Sequence, residues 1–204
     1  MNWLAHLLLS EQSATFRIGN LVPDLMMRTE LEQVPEAFRD GIECHRYIDA
    51  FTDAHPVVRR SMGRLASPHR RFAPILMDIF YDHFLSVNWT RHCPQPLHEF
   101  LHEVYDSFDG PGAQLPATTQ SILQRMRQEN WLGSYGDVAG VQITLERVAR
   151  RLRRSVPLGE AVTELQRNYD ALGADFKEFF PELRSQVEAR FVSSNNFSAK
   201  PACL

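Results

Sequence analysis

Apolar residues recur every three to four positions along most of this 204-residue chain, which is the spacing of helices that bury one face. No stretch keeps the apolar–polar alternation that a set of neighbouring β-strands requires. The sequence therefore predicts an all-α fold. Helices are expected near residues 2–11, 24–31, 36–54, 57–65, 72–91, 97–107, 118–129, 138–154, 158–172 and 174–192.

The length and composition favour one folded domain. With 44% apolar and 23% charged residues, the chain can bury a large core and does not resemble a disordered protein. We expect residues 1–192 to form a single helical domain, with Gly173 separating the last two helices. The polar, proline-containing residues 193–204 are expected to form a flexible tail.

Charge, cysteines and the first residues limit the partners and the location. A formal net charge of −3 gives no bulk attraction for nucleic acid. Cys44, Cys93 and Cys203 are too scattered for a disulfide framework and are expected to be free thiols in a reducing compartment. The first residues lack a basic leader and include His6, so they predict neither a signal peptide nor a membrane span. The sequence thus predicts a cytoplasmic protein that engages neither membrane nor nucleic acid.

All eight histidines lie within the first 102 residues, so any metal or acid–base site is expected there. In the helix near 36–54, His45, Asp49 and Thr52 share one face, because residues three and four apart are helical neighbours. The same face continues the apolar stripe of Phe38 and Ile42. These polar side chains are therefore expected to point toward the core.

The helix near 72–91 carries two carboxylates, Asp78 and Asp82, on a largely apolar face. Two buried carboxylates repel each other and lose hydration unless a positive group lies between them. A divalent cation would fill that role, since carboxylate and imidazole groups are ligands for manganese, magnesium, iron or zinc. Simpler interpretations remain open: His45 can be a hydrogen-bonded core histidine, and the two aspartates can be capping or salt-bridge residues.

His6 and Asp24 are weaker candidates from spacing alone. His6 lies among the leucines of the first predicted helix, and Asp24 begins the second, where an N-cap role is the ordinary explanation. Taken together, the acids and imidazoles of separate segments nevertheless favour a shared metal site.

Four stretches in the first half of the chain are more specific. They read MNWLAH at 1–6, GNLVPD at 19–24, GIECHRYIDAFTD at 41–53 and DIFYDHFL at 78–85. In this order they resemble the acyl-carrier-protein phosphodiesterases, also called ACP hydrolases. The resemblance covers roughly the first 90 residues and does not extend beyond residue 105 except in length and helical character.

The resemblance implies an HD-like helical bundle, because the family is regarded as a distant relative of the HD-domain phosphohydrolases. It also implies an enzyme that hydrolyses holo-acyl carrier protein to apo-acyl carrier protein and 4′-phosphopantetheine. Acyl carrier protein would then be both substrate and partner. A divalent metal is the implied cofactor, with Mn²⁺ expected first and Mg²⁺ or Fe²⁺ as alternatives.

Eight polar residues match the family's pattern: His6, Asp24, His45, Asp49, Asp53, Asp78, Asp82 and His83. The chain contains no His-Asp dipeptide, and its nearest doublet, Asp82-His83, has the reverse order, so the HD ligand set cannot be mapped by motif. On the resemblance, we expect the metal to be held by Asp24, His45, Asp82 and His83.

The catalytic residues expected on the same basis are His6, Asp24, Asp49 and Asp78. Asp49 would orient a ligating imidazole or take the proton of the attacking water, and a protonated His6 would assist the departing serine oxygen. Asp24 or Asp78 would complete the metal's ligands. Arg46, next to His45, is the candidate for binding the phosphate.

Carrier proteins are acidic, so a hydrolase for them needs a local basic surface. The segment VQITLERVARRLRRSVPL at 141–158 supplies the candidate partner-binding residues Arg147, Arg150, Arg151, Arg153 and Arg154. The alternative is a solvated helix whose arginines favour its negative end.

Two other functions stay open. One is an HD-like metal phosphohydrolase for a nucleotide or another small phosphodiester, which would act without a carrier protein. The other is a non-enzymatic helical interaction module in which the histidines and aspartates form only a hydrogen-bonded core. The oligomeric state is not predicted by the sequence.

Overall fold

The computed structural model describes residues 1–67, 69–150 and 157–191. Within these ranges the chain is helical and has no β-strand, which confirms the all-α prediction. The helices are α1 (Trp3–Leu8), α2 (Ala14–Gly19), α3 (Arg28–Leu31), α4 (Arg39–Ala54), α5 (Pro56–Gly63), α6 (Ala73–Val87), α7 (Leu97–Asp106), α8 (Ala117–Gln128), α9 (Val138–Ala149), α10 (Val162–Arg167) and α11 (Tyr169–Phe191). Among the described residues, no helix has the length and apolar character needed to span a membrane.

The six-residue helix α2 is absent from the sequence prediction. Ser13 begins it, with a side-chain oxygen that accepts a hydrogen bond from the backbone N–H of Phe16. Such a short segment gives too little periodicity to be recognised. The predicted helix near 138–154 ends earlier as α9, at Ala149, although residues 151–156 lie outside the described ranges.

The break between the last two helices falls at Asn168, so the prediction that Gly173 separates them is wrong. Gly173 lies inside α11, where a Cβ atom would stand 3.1 Å from the ring of Phe84. The glycine thus permits close packing of α11 against α6 rather than ending a helix. The predicted tail at 193–204 lies outside the described residues.

The buried apolar side chains form one core cluster, which includes fully buried Phe80 and Leu85 of α6. Helix α6 packs against α1, α5, α9 and α11. A single core is what the predicted single domain requires, although the domain's boundaries and its HD-like character stay predictions.

The cysteines differ from one another. Cys44 is a free buried cysteine, as expected. Cys93 is disulfide-bonded, so the prediction of a free thiol at this position is wrong.

Helix α11 is fastened to α5 through one buried carboxylate, Asp175. It accepts hydrogen bonds from Arg60 and Arg64 at 2.7 and 2.8 Å and from the hydroxyl of Ser61 at 2.7 Å. Ser61 is also hydrogen-bonded to the hydroxyl of Tyr81 in α6 at 2.8 Å. Charged and neutral donors together compensate the burial of this carboxylate. These contacts therefore hold α11 against α5 and α6.

Two glycines allow α2 and α4 to touch backbone to backbone. A Cβ atom on Gly41 would overlap the carbonyl oxygen of Phe16, and one on Gly19 would overlap that of Phe38. The α-carbons of the two glycines also face each other at the crossing, since that Cβ on Gly19 would lie 3.0 Å from the Gly41 Cα. This close approach brings Asn20, which ends α2, beside the middle of α4.

The first turn of α1 is held by a carboxylate from α6. Asp82 is fully buried, and its oxygens accept hydrogen bonds from the backbone N–H groups of Leu4, Asn2 and Ala5 at 2.7, 3.3 and 3.4 Å. The first N–H groups of a helix have no partner within the helix, and a negative charge there also suits the helix dipole. Asp82 thus fixes both the position and the direction of α1.

Replacing Gly41 by alanine is expected to destabilise the protein, because the new methyl group would collide with backbone rather than with a movable side chain. The cost should reach at least the roughly 1–3 kcal/mol typical of overpacking. A thermal melt measures it, with about 2–4 °C lost per kcal/mol in a domain of this size. Gly63→Ala is the matched control, since nothing lies within 4 Å of its added Cβ. Equal melting temperatures for the two variants would contradict the tight crossing.

Removing the carboxylate with Asp82→Ala is expected to lower the stability, because buried N–H groups left without an acceptor cost about 1–3 kcal/mol each. Ser86→Ala, one turn further along α6, is the control: Ser86 is buried and its hydroxyl has no hydrogen-bond partner among the described residues. Chemical denaturation should show a large loss for the first variant and little change for the second. A stable Asp82→Ala protein would mean that α1 is held by other contacts.

Candidate metal centre

Three segments bring two imidazoles and two carboxylates together. His6 lies on α1, His45 and Asp49 lie one turn apart on α4, and Asp24 lies in the 3-10 turn after α2. The Nε2 atom of His45 is 3.0 Å from Asp49 Oδ2 and 3.6 Å from Asp24 Oδ1, while that of His6 is 3.2 Å from Asp49 Oδ1. Ligand atoms of His6, His45 and Asp49 all lie within 4.8 Å of one another. The shared face predicted for His45 and Asp49 is thus present.

The outer nitrogens of both imidazoles are hydrogen-bonded to one residue, Asn20. The Nδ1 atom of His45 lies 2.9 Å from the backbone oxygen of Asn20, and the Nδ1 atom of His6 lies 2.9 Å from its side-chain oxygen. Both acceptors are oxygens, so each Nδ1 donates its proton. In the neutral rings, Nε2 therefore carries a lone pair directed toward Asp49.

A positive charge at the centre would stabilise this arrangement. Besides Asp49, the Nε2 atom of His6 faces the backbone oxygen of Met1 at 3.3 Å. The two rings are stacked, with centroids 4.2 Å apart, so protonating both would place two like charges face to face. A cation bound by both nitrogens and the carboxylate removes the conflict. Two imidazole nitrogens and carboxylate oxygens also form a common ligand set for divalent transition metals.

The buried α-ammonium group of Met1 is a second charge at the site. It lies 2.8 Å from Asp78 Oδ1 and 3.7 Å from Asp49 Oδ1. Burial opposes this charge, but Asp78 and Asp49 prevail and raise the pKa of the ammonium to about 10. The positive group expected near Asp78 is therefore supplied by the chain itself.

The pKa values of the site follow from burial and from these pairings. Burial and the neighbouring ring of His45 lower the pKa of His6. Burial acts in the same direction on His45, but its hydrogen bond to Asp49 and the charge of Asp24 leave that pKa raised. Burial would raise the pKa of Asp49, yet the hydrogen bonds from the two histidines lower it well below its usual range. Desolvation raises the pKa of Asp78 to about 6 despite the ammonium beside it.

The imidazoles are buried, whereas the carboxylates open to solvent. The side chains of His6 and His45 are 0% and 4% exposed, but those of Asp24, Asp49 and Asp78 are 38%, 41% and 36% exposed. The carboxylate side of the cluster is therefore accessible to a ligand from solvent. The indole N–H of Trp3 donates to Asp24 Oδ2 at 3.0 Å and fixes that carboxylate at the rim.

Asp82 and His83, both expected to be metal ligands, have other partners in the structure. Asp82 accepts the N–H groups of α1, and burial raises its pKa to about 7 against the opposing effect of the Met1 ammonium. His83 lies 2.8 Å from the backbone oxygen of Tyr135 through Nδ1 and 3.0 Å from the hydroxyl of Tyr169 through Nε2. Neither residue is among the groups that cluster with His45. The geometry favours His6 and Asp49 in their place.

The predicted arginines differ in their surroundings. Arg46 is exposed on α4 beside His45 and has no ion pair with any described residue. Arg147 is mostly buried, with its guanidinium 4.4 Å from the ring centroid of Trp131 and 3.8 Å from a Glu129 oxygen. It packs within the protein, so it is not a free docking charge. Arg150 is exposed at the end of α9.

Three more of the predicted arginines, Arg151, Arg153 and Arg154, lie outside the described residues. Asp53, matched by the resemblance, is exposed near the end of α4.

The sequence alone did not reveal the structural roles of Asn20, Trp3 and the Met1 ammonium. Asn20 and Trp3 lie inside two of the recognised stretches, but only the folded arrangement of α1, α2 and α4 shows what they contact.

Comparison of the sequence with known proteins identifies one family. The family model described as acyl carrier protein phosphodiesterase matches residues 1–183. A protein named acyl carrier protein phosphodiesterase from Photorhabdus laumondii is 32% identical over 189 residues, which are 92% of this chain and 96% of that protein. A protein of the same name from Escherichia coli (strain ATCC 8739) is 33% identical over 191 residues, covering 93% of this chain and 99% of the relative. No solved structure matches the chain. The chain belongs to the acyl carrier protein phosphodiesterase family.

Proposed function

We propose that this protein is an acyl carrier protein phosphodiesterase, which hydrolyses holo-acyl carrier protein to apo-acyl carrier protein and 4′-phosphopantetheine. The observation that carries the proposal is the convergence of His6, His45 and Asp49, within a chain whose relatives bear that name. Hydrolysis of a phosphodiester needs a group that withdraws charge from the phosphate and a group that activates water. The candidate centre offers ligands for a metal that does both.

The residues fit a divalent metal held by His6, His45 and Asp49, with Asp24 at the open side. Two Nε2 lone pairs and a carboxylate already face a common point, and Asp24 Oδ1 lies 3.6 Å from His45 Nε2. When bound, such a cation polarises phosphoryl oxygens and lowers the pKa of water. Mn²⁺ is the expected metal, with Mg²⁺ or Fe²⁺ as alternatives.

This ligand set changes the role proposed for His6. Its Nδ1 atom is committed to Asn20 and its Nε2 atom faces the cluster, so no nitrogen is left to protonate the departing serine oxygen. Asp78 is the better proton donor for that step, because burial raises the pKa of its carboxyl to about 6 and this carboxyl is partly exposed beside the cluster. The Met1 ammonium, between Asp78 and Asp49, holds the two carboxylates in place.

Arginines in two parts of the chain are proposed to hold the substrate. Arg46 follows the ligand His45 and is exposed without an ion pair to described residues, so its guanidinium is free to bind the phosphodiester. Arg150 is proposed to dock the acidic carrier protein, together with Arg151, Arg153 and Arg154. Arg147 is excluded from this role because it packs on Trp131.

A cytoplasmic location, expected from the sequence, stays a prediction.

We expect purified protein and Mn²⁺ to convert holo-acyl carrier protein to the apo form. Mass spectrometry should show the carrier protein losing its prosthetic group, and a sample with EDTA should show no loss. Bis(p-nitrophenyl) phosphate is a useful comparison, since efficient turnover of such a small diester without turnover of the carrier protein would favour a general phosphohydrolase. Conversion that continues in EDTA would exclude the proposed metal.

Substitutions separate the two sets of candidate ligands. His45→Gln and Asp49→Asn are expected to weaken Mn²⁺ binding by more than the roughly 10- to 100-fold lost when only a supporting residue is removed. His83→Gln, which alters contacts to Tyr135 and Tyr169, should keep the affinity of the unmodified protein. Isothermal titration of the dialysed proteins measures both. Loss of metal from His83→Gln alone would return the site to the ligands expected from the resemblance.

A further inference from the structure

The side chain of Asn20 is fully buried between α1 and α4, where both its amide nitrogen and its oxygen are hydrogen-bonded. Its amide nitrogen donates to the backbone oxygen of His6 at 2.8 Å and to the hydroxyl oxygen of Ser10 at 2.9 Å. Its side-chain oxygen lies 2.9 Å from His6 Nδ1. The residue therefore joins the backbone of α1 to the imidazole that the same helix carries.

The orientation of this amide follows from its partners. The hydroxyl of Ser10 donates its own proton to the backbone oxygen of His6 at 2.8 Å, so it can only accept from Asn20. The two oxygens near the amide nitrogen are thus acceptors, with the sulfur of Cys44 as a weaker third contact at 3.6 Å, and a reversed amide would place an oxygen against those two oxygens. The Asn20 oxygen must face His6, and the ring of His6 must donate from Nδ1.

We propose that Asn20 is a positioning residue that fixes the tautomers of both imidazoles and thereby sets the metal affinity of the site. Its side-chain oxygen acts on His6 and its backbone oxygen acts on His45. With both Nδ1 atoms committed as donors, both Nε2 lone pairs face Asp49. This inference rests on the metal site of the proposed function and adds to it the residue that prepares the ligands.

Asn20 contacts His6 through its side chain and His45 through its backbone, and this difference makes the proposal specific. Replacing the Asn20 side chain removes the acceptor of His6 and leaves the backbone acceptor of His45. The glycine crossing of α2 and α4 holds that backbone in place independently of the side chain. A substitution at position 20 should therefore disturb one imidazole and spare the other, which a general loss of packing would not do.

The direct test is nuclear magnetic resonance of the ring nitrogens in metal-free protein labelled with ¹⁵N-histidine. In the unmodified protein we expect His6 and His45 both to carry the proton on Nδ1. In Asn20→Ala, the Nδ1 preference of His6 should be lost and that of His45 retained. Asn20→Asp keeps an acceptor for His6 and should keep its tautomer, although its second oxygen replaces the N–H donor to the His6 backbone oxygen and should lower the melting temperature. A proton on Nε2 of His6 in the unmodified protein would overturn the proposal, even if the alanine variant does not fold.

Metal binding gives the second measurement. Titration with Mn²⁺ should show affinity reduced roughly 10- to 100-fold in Asn20→Ala, as for other residues that orient a ligating histidine, with most of the loss recovered in Asn20→Asp. Ser10→Ala is the matched control, because it removes a hydrogen bond to the Asn20 amide nitrogen without touching either ring. It should lower the melting temperature and leave Mn²⁺ affinity close to that of the unmodified protein.

The outcomes distinguish this inference from the proposed function. Equal loss of affinity in Ser10→Ala and Asn20→Ala, or unchanged affinity in Asn20→Ala, overturns the role of Asn20 while the metal site stands. If the unmodified protein binds no Mn²⁺, Mg²⁺ or Fe²⁺, the metal site fails and the inference about affinity fails with it. Metal-dependent hydrolysis of holo-acyl carrier protein, together with a selective change at His6, supports both.

Discussion

The arrangement of the site depends on the buried carboxylate of Asp82, which holds the first turn of α1. His6 lies on that turn, so its imidazole can reach Asp49 only while α1 keeps its direction. Burying an acid in an apolar helix is costly unless donors replace the lost water, and the N–H groups at a helix start supply them without a second charged side chain. An aspartate that the sequence suggested as a metal ligand is therefore hydrogen-bonded to the start of a neighbouring helix and positions it.

The site also has to balance an excess of negative charge. Three carboxylates lie at one opening, those of Asp24, Asp49 and Asp78. The groups that can compensate their negative charge are the Met1 ammonium and two imidazoles. The ammonium pairs with Asp78, but Asp49 faces two stacked imidazoles that cannot both carry a proton without placing like charges face to face. The compensation is thus incomplete on the side of the histidines. That imbalance, rather than the mere presence of histidine and aspartate, supports a bound cation.

The sequence predicted the features that depend on local periodicity. It did not predict the features that depend on which neighbouring helix a side chain points toward. It predicted the all-α fold and the common face of His45 and Asp49, because a helix places residues four apart together. It could not show that Asp82 turns toward the start of α1, or that His83 turns toward Tyr135 and Tyr169. Both follow from how α6 packs among its neighbours. Gly173 was misjudged for the same reason, since its small size serves contact with Phe84.

The indole of Trp3 connects the site to a part of the chain that contains no histidine. It is hydrogen-bonded to Asp24 and stacked on Trp131 at 5.6 Å, and Trp131 in turn lies beneath the guanidinium of Arg147. The orientation of a rim carboxylate is therefore supported by aromatic side chains from both halves of the sequence. The recognised N-terminal stretches are consequently not a self-contained unit, since transplanting them onto another helical scaffold would leave the Trp3 indole that contacts Asp24 without its stacking partner Trp131.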